Sequence, residues 1–308
     1  ALATDHPSHI GSDPGVAMAE ADVVIVLDCL APWWPDRHKL RPDARVIHIG
    51  PDPLFSRTPT RGFRCDLAIA GETDATLTRL MKAVDGAAPA PHSKPERRTF
   101  VEELHAQHTG NTERATAPRS DGSLTKARVS HLLGQALDGR NSTVFSELGT
   151  MLGPLPRRDH KSWFQEPHSG GLGWSFPAAM GAKLADPDRI VVATLGDGSY
   201  MFANPTACHQ IAEALGIAIV VLILNNAEWG AVRQSVEGLY PHGRATQTNR
   251  MPLTGLSPVP DFAKTAQASR AWTATATQEL ELIGFLQEAI RQTEAGFLAL
   301  VDVRVVAD

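Results

Sequence analysis

The chain has 308 residues and a formal net charge of -5. That length favours two domains, and that charge argues against nucleic acid or an anionic membrane surface as a partner. Hydrophobic residues at 43% and charged residues at 20% suit a globular soluble chain, and no apolar run approaches the about 20 residues a membrane helix needs.

Three scattered cysteines, Cys29, Cys65 and Cys208, are too few and too far apart for a disulfide framework or a Cys-x-x-Cys metal site. They predict a reducing, cytoplasmic setting. The opening ALATDHPSHIGSDP has neither the basic start nor the apolar core of a signal peptide, and it lacks an initiator Met. It reads as a processing point or the start of a fragment.

Residues 1–85 read as half of an α/β domain. A short helix-like GVAMAEA precedes a buried-strand pattern, Ala21 to Leu27. Ala44 to Ile49 and Asp66 to Ile69 read as two more strands, and Glu72 to Val84 carries helical periodicity. Three strands are thin for a Rossmann-like domain, where about six are usual, and no GxGxxG follows any of them. Residues 86–120 read as a linker. Pro89, Pro91 and Pro95 break structure first, and one short helix is expected in PERRTFVEELHAQH.

Residues 121–308 read as a second domain. Ser123-Leu124-Thr125 can cap a helix, Lys126 to Leu137, and Thr143 to Ser146 reads as a strand ending at Glu147. A polar loop over 153–168 leads to Ser169-Gly170-Gly171-Leu172-Gly173-Trp174 and a small-residue helix, Phe176 to Leu184. Ile190 to Leu195 and Ile217 to Leu224 are apolar strand runs around a helix-like segment, Asn204 to Leu215. The first run ends at Gly196-Asp197-Gly198-Ser199 and the second at Asn225-Asn226. Residues 238–260 read as a surface loop over this edge. Helices over Asp261 to Ala271 and Glu279 to Thr293 and a strand over Phe297 to Val303 complete the chain. The alternation predicts a doubly wound parallel sheet.

A strand–helix–strand crossover makes its two strands parallel neighbours, so Asp197 and Asn225-Asn226 should lie side by side at the carboxyl edge. A carboxylate and an amide oxygen there suit Mg2+, and the glycines and the following helix suit a phosphate. A helix N-cap would also explain the aspartate alone. The order of glycines in 170–173 does not fit a dinucleotide loop.

GDG at 196–198 followed by NN at 225–226 resembles the thiamine diphosphate binding motif. Upstream, SGGLGWSFPAAMGAKLADPDRIVVATLGDGS resembles the acetolactate synthase and benzoylformate decarboxylase superfamily, as does NNAEWGAVRQ downstream. The likeness is detailed over 121–308. ADVVIVL…ARVIHIGPDP in residues 1–85 is similar to the later half of the family's middle domain. The resemblance implies an α/β fold: a doubly wound parallel sheet of the thiamine diphosphate-binding type, preceded by a partial Rossmann-like middle domain. It also implies a separate pyrimidine-binding domain carrying the glutamate that activates the cofactor. No residue here is assigned that role, since Glu147 and Glu166 lie near the ligand edge in the wrong domain.

By that resemblance, Asp197, Asn226 and the backbone carbonyl of Glu228 would hold Mg2+. Gly196, Gly198, Ser199, Trp229 and Gly230 would join the cofactor contacts, and Asn225 would be structural. Leu172 would wedge the cofactor into a bent shape, and the Gly170 carbonyl would meet the pyrimidine amino group, with Gly171 between them. These two are the residues nearest the chemistry. The implied reaction cleaves or forms a C–C bond of a 2-oxo acid by decarboxylation or carboligation. The implied assembly is a homodimer, a homotetramer or a complex with a chain carrying the pyrimidine domain. Trp163, His168, Trp174, Trp229 and the 238–260 loop could line a substrate channel or simply pack. His160 and His209 are given no catalytic role, and Cys208 reads as core. A cofactor-binding subunit without turnover is the competing reading, and a flavodoxin-like nucleotide binder is a third.

Overall fold

The computed structural model describes residues 2–58, 60–87, 95–167, 170–248 and 251–306. The chain divides into two compact units, residues 10–108 and residues 1–9 with 109–308.

The smaller unit carries α1 (Gly15–Glu20), β1 (Val23–Leu27), β2 (Arg45–Gly50), β3 (Leu67–Ala70) and α2 (Thr73–Asp85). Its three strands are parallel, in the order β1-β2-β3. Val46 and Ile49 of the central strand are buried, while Val23, Ile25 and Leu27 of β1 stay exposed. The three strands lie where the residue pattern puts them, but β1, read as a buried strand, buries only Val26, because as an edge strand it is paired on one side alone. Helix α3 (Pro95–Ala115) is longer than expected, 21 residues without a fully buried one. After Pro95 the next breaker is Gly110, which a helix interior tolerates at about 1 kcal/mol.

The larger unit follows with α4 (Lys126–Ala136), β4 (Ser142–Glu147), β5 (Trp163–Gln165), α5 (Ser175–Ala185), β6 (Ile190–Gly196), α6 (Asp197–Phe202), α7 (Pro205–Leu215), β7 (Val220–Asn225), α8 (Gly230–Leu239), α9 (Phe262–Gln267), β8 (Trp272–Ala276), α10 (Glu279–Glu294) and β9 (Ala299–Arg304). Of the Ser123-Leu124-Thr125 stretch it is Thr125 that caps α4, its hydroxyl accepting the Arg128 amide at 3.1 Å. Six parallel strands run in the order β5-β4-β6-β7-β9-β8. The sheet is doubly wound: α4 and α10 share one core with Val192, Val220, Leu222 and Leu224. On the other face, α5, α6, α7 and α9 pack with Val191, Ala193, Leu195, Ile219, Val221 and Ile223. The period of two along β6 and β7 divides their apolar side chains between the two cores.

Three elements of this unit lie where the sequence reading had a loop or a turn. β5 lies inside the stretch expected to be a polar loop, and β8 was not foreseen. Both are edge strands of the sheet, and four of the five β8 residues are only partly buried or exposed, so neither carries a strong apolar run. α6 starts at Asp197 itself, in the stretch read as a glycine turn, and it ends before α7, where Asn204 turns left-handed at φ 53 and Pro205 follows.

Candidate functional site

The chain leaves β4 to one side for β5 and then returns to the other side for β6, so the winding reverses at β4 and β6. Ligands of open parallel sheets bind outside the carboxyl ends at such a reversal. Gly196, the last residue of β6, is level with Leu224 of β7. Asp197 and Asn225-Asn226 therefore leave the sheet side by side.

Asp197 is 2% exposed. Its Oδ1 accepts the Gly198 amide at 2.9 Å, while its Oδ2 is buried without a hydrogen-bond partner among the described residues. Burial pushes its carboxyl up, and the neighbouring amides of Gly198, Ala227 and Glu228 pull the other way. A buried carboxylate oxygen left unpaired is costly, and a cation is the natural partner for it. Asn226 is exposed, and its Oδ1 accepts the Glu228 amide at 3.1 Å. Ala227 between them has φ 57, which folds the chain back on itself. This donor set, one carboxylate with an amide oxygen and a carbonyl nearby, fits a hard oxygen-seeking cation. No cluster of three or more His, Cys, Asp or Glu side chains that could hold a metal occurs among the described residues.

The Glu228 carboxylate is already committed. It accepts Arg233 Nε at 2.8 Å and the Thr254 hydroxyl at 2.8 Å, and the Arg233 guanidinium holds its carboxyl below the usual range. That leaves its backbone carbonyl, which accepts the Gly230 amide at 2.9 Å. Thr254 and Leu256 clamp this turn from the 238–260 loop: the Trp229 amide donates to the Thr254 carbonyl at 2.7 Å and the Leu256 amide to the Ala227 carbonyl at 2.8 Å. Thr254 and Arg233 were missed in the sequence, where nothing marks a threonine 26 residues from its partner.

Gly198 and Ser199 are buried in the first turn of α6. The Trp229 ring lies against Gly198 and meets Phe202 edge to face, at 5.7 Å between centroids. The glycine turn before α5 reaches the same place. Gly173 has φ 95, and a Cβ on it would come within 2.4 Å of the Ala203 amide nitrogen. Leu172 stands 38% exposed at this edge. Gly171 has open space around it, and the Gly170 amide donates to the Pro167 carbonyl at 2.8 Å. The turn is held from the sheet by Glu147, which is fully buried at the end of β4. Its two oxygens accept the Gly173 amide at 2.5 Å and the Ser175 amide at 2.7 Å. Close by, burial and the Glu147 charge push the Glu166 carboxyl up.

Other candidates fall elsewhere. Asn225 is buried, donating to Asp302 at 3.0 Å and accepting the Ala227 amide at 3.1 Å. Trp163 packs on the α4–α10 core and Trp174 on the opposite core. His160 is exposed, and Cys208 is core. His209 is buried with its Nε2 2.7 Å from the Tyr200 hydroxyl. His168 and Ser169 lie outside the described residues.

The C-terminal TPP binding domain of thiamine pyrophosphate enzymes matches residues 149–303. Over 287 residues the chain is 28% identical to an acetolactate synthase of Mycobacterium avium, covering 87% of this chain and 43% of that protein. It is 29% identical over 255 residues to the acetolactate synthase large subunit IlvB1 of Mycobacterium tuberculosis, 80% of this chain and 39% of that protein. An acetolactate synthase large subunit of Haemophilus influenzae is 27% identical over 303 residues, 95% of this chain and 49% of that protein. The chain thus spans less than half the length of each of these relatives.

Proposed function

The chain belongs to the thiamine pyrophosphate enzymes, carrying their C-terminal cofactor-binding domain, and from that premise we propose that the β6–β7 edge anchors the diphosphate of thiamine diphosphate through Mg2+. The supporting observation is the buried, unpartnered Oδ2 of Asp197, beside the first turn of α6 and next to the Asn226 turn. Asp197 and Asn226 would ligate the metal through side-chain oxygens, and Glu228 through its carbonyl. Gly196, Gly198 and Ser199 would meet the phosphates at the head of α6, where amides lack intrahelical partners. Trp229 and Gly230 would flank the same edge from the head of α8.

When bound, the thiazolium ring supplies the nucleophile and electron sink for breaking or making the C–C bond beside the carbonyl of a 2-oxo acid. Leu172 would set the cofactor's conformation from below, and the Gly170 carbonyl would orient its pyrimidine. The Glu147 and Glu228 carboxylates are consumed by their own hydrogen bonds. Neither is free to move a proton at the cofactor. The whole protein, on this reading, is a decarboxylase or carboligase of the acetolactate synthase type. Its substrate is a small 2-oxo acid, and its sites are completed by a pyrimidine-binding part from the same assembly. Exposed Leu148, Leu172 and Leu253, on segments that build this edge, suit coverage by such a part.

Calorimetric titration of the full-length protein with thiamine diphosphate, with and without Mg2+, tests the anchor. The expected outcome is binding that needs Mg2+ and is lost in Asp197→Ala. Binding indifferent to both would overturn the assignment. Release of CO2 from a panel of 2-oxo acids tests the reaction.

A further inference from the structure

Helix α5 begins at Ser175 without a local cap, since its N-cap residue is Trp174 and no side-chain hydrogen bond is made there. The amides at such a helix start need partners from elsewhere. Glu147 supplies them from the end of the neighbouring strand β4. One carboxylate oxygen accepts the Gly173 amide and the other the Ser175 amide, at 2.5 and 2.7 Å. A carboxylate has two acceptors to offer. A neutral amide has one, and it would turn an N–H group against the second donor. The side chain is 0% exposed. Its compensation therefore comes from these amides and the α5 N-terminus.

The consequence falls on the residues just ahead of this anchor. A Cβ added at Gly171 would meet nothing within 4 Å, and Leu172 is 38% exposed, so apart from the Trp174 amide donating to the Gly171 carbonyl at 3.1 Å the apex of the turn has little packing of its own. Its placement is inherited from Gly173, gripped between Glu147 and the Ala203 backbone. We propose that Glu147 is a positioning residue: its carboxylate fixes the Gly173 and Ser175 amides, and thereby the Leu172 side chain, at the height required to bend the bound cofactor. This rests on the assignment of the edge to thiamine diphosphate. It adds a separation of roles, with Asp197 governing how tightly the cofactor is held and Glu147 how reactive it is once held.

The experiment uses the full-length protein and the variants Glu147→Gln and Glu147→Asp. Three quantities are read: the dissociation constant of Mg2+–thiamine diphosphate, the thermal midpoint, and the exchange rate of the cofactor's C2 proton for deuterium after acid quench. Glu147→Gln is expected to keep the dissociation constant within about threefold. Exchange should slow about 100-fold, the cost expected of a displacement of about 1 Å at a reacting group. Glu147→Asp keeps both acceptors on a shorter arm and should recover part of the exchange rate. Exchange at the wild-type rate in a folded Glu147→Gln protein overturns the inference, as does loss of binding and exchange in parallel, which marks a structural residue only. If Glu147→Gln does not fold, Glu147→Asp decides: slowed exchange with retained binding supports positioning, and wild-type exchange overturns it. Failure of the wild type to bind thiamine diphosphate overturns the cofactor assignment and this inference with it. Wild-type binding with an indifferent Glu147→Gln overturns this inference alone.

Discussion

The Trp229 indole lies on Gly198 so closely that a Cβ added there would sit 2.2 Å from Cζ3 of the ring. Something must shift if that position gains a side chain, and either answer disturbs the head of α6. Gly198→Ala should weaken Mg2+–thiamine diphosphate binding by about tenfold, or about 1.4 kcal/mol. The double variant Gly198→Ala/Trp229→Ala, which removes the obstructing ring, should regain most of it. Titration of both proteins checks this, and a double variant as weak as the single one would show that the ring is not the cause.

Asp197 makes the opposite bargain from an ordinary stabilising residue. Its folded carboxyl is raised by burial. The stability it contributes is therefore present below the usual carboxylate pKa of about 3.9 and is lost as the pH rises through its raised value. Without metal, Asp197→Asn should be more stable than the wild type near about pH 7, by on the order of 1 kcal/mol. The gap should close on acidification. Urea unfolding of both apo-proteins across that range measures it. The same substitution should abolish Mg2+-dependent cofactor binding.

His209 couples stability to pH in the other direction. Burial lowers it to about 4, and its Nε2 faces the Tyr200 hydroxyl 2.7 Å away. With an unfolded value near about 6.5, its contribution is full above that pH and is lost as the pH falls from there through the folded value. The amplitude is on the order of 2–4 kcal/mol. His209→Gln should lower the thermal midpoint at neutral pH and flatten the acid limb of the stability profile. A profile unchanged by the substitution would assign the acid sensitivity to other groups.

The carboxyl edge was legible because β6 and β7 are long apolar runs, each ended by a distinctive polar turn, GDG and NN. Period and punctuation together place Asp197 beside Asn225-Asn226, and the register of Gly196 with Leu224 places them so. What escaped the sequence is what depends on contacts across the fold. β8 reads as WTATA, with no apolar run, and becomes a strand because β9 offers its edge. The Glu147 clamp joins residues 26 and 28 positions apart, and Thr254 reaches Glu228 over 26. Neither pairing has a local signature. The start of α7 at Asn204-Pro205 is legible, whereas α6 is too short to show a helical period behind the Gly196-Asp197-Gly198-Ser199 turn.

The adjacent asparagines offer the sharpest separation of structure from ligand binding. Asn225 is 2% exposed. Its amide donates to Asp302, and its oxygen accepts the Ala227 amide. Removing it leaves the buried Asp302 carboxylate and the half-buried Ala227 amide each short of a bond, so Asn225→Ala should cost about 1–3 kcal/mol of stability whether or not cofactor is present. Asn226 is exposed, and its Oδ1 has only the Glu228 amide, 3.1 Å away, to satisfy. Asn226→Ala should leave the apo thermal midpoint within about 2 °C, because exposed polar substitutions stay within about 0.5 kcal/mol. Its effect should appear in the Mg2+ concentration needed to hold thiamine diphosphate, raised about tenfold or more by loss of one oxygen ligand. Thermal melts and Mg2+ titrations of both variants resolve the two roles. If Asn226→Ala lowers the melt while Asn225→Ala alone weakens Mg2+, the assignments are reversed. The metal ligand would then be the inner asparagine of the pair.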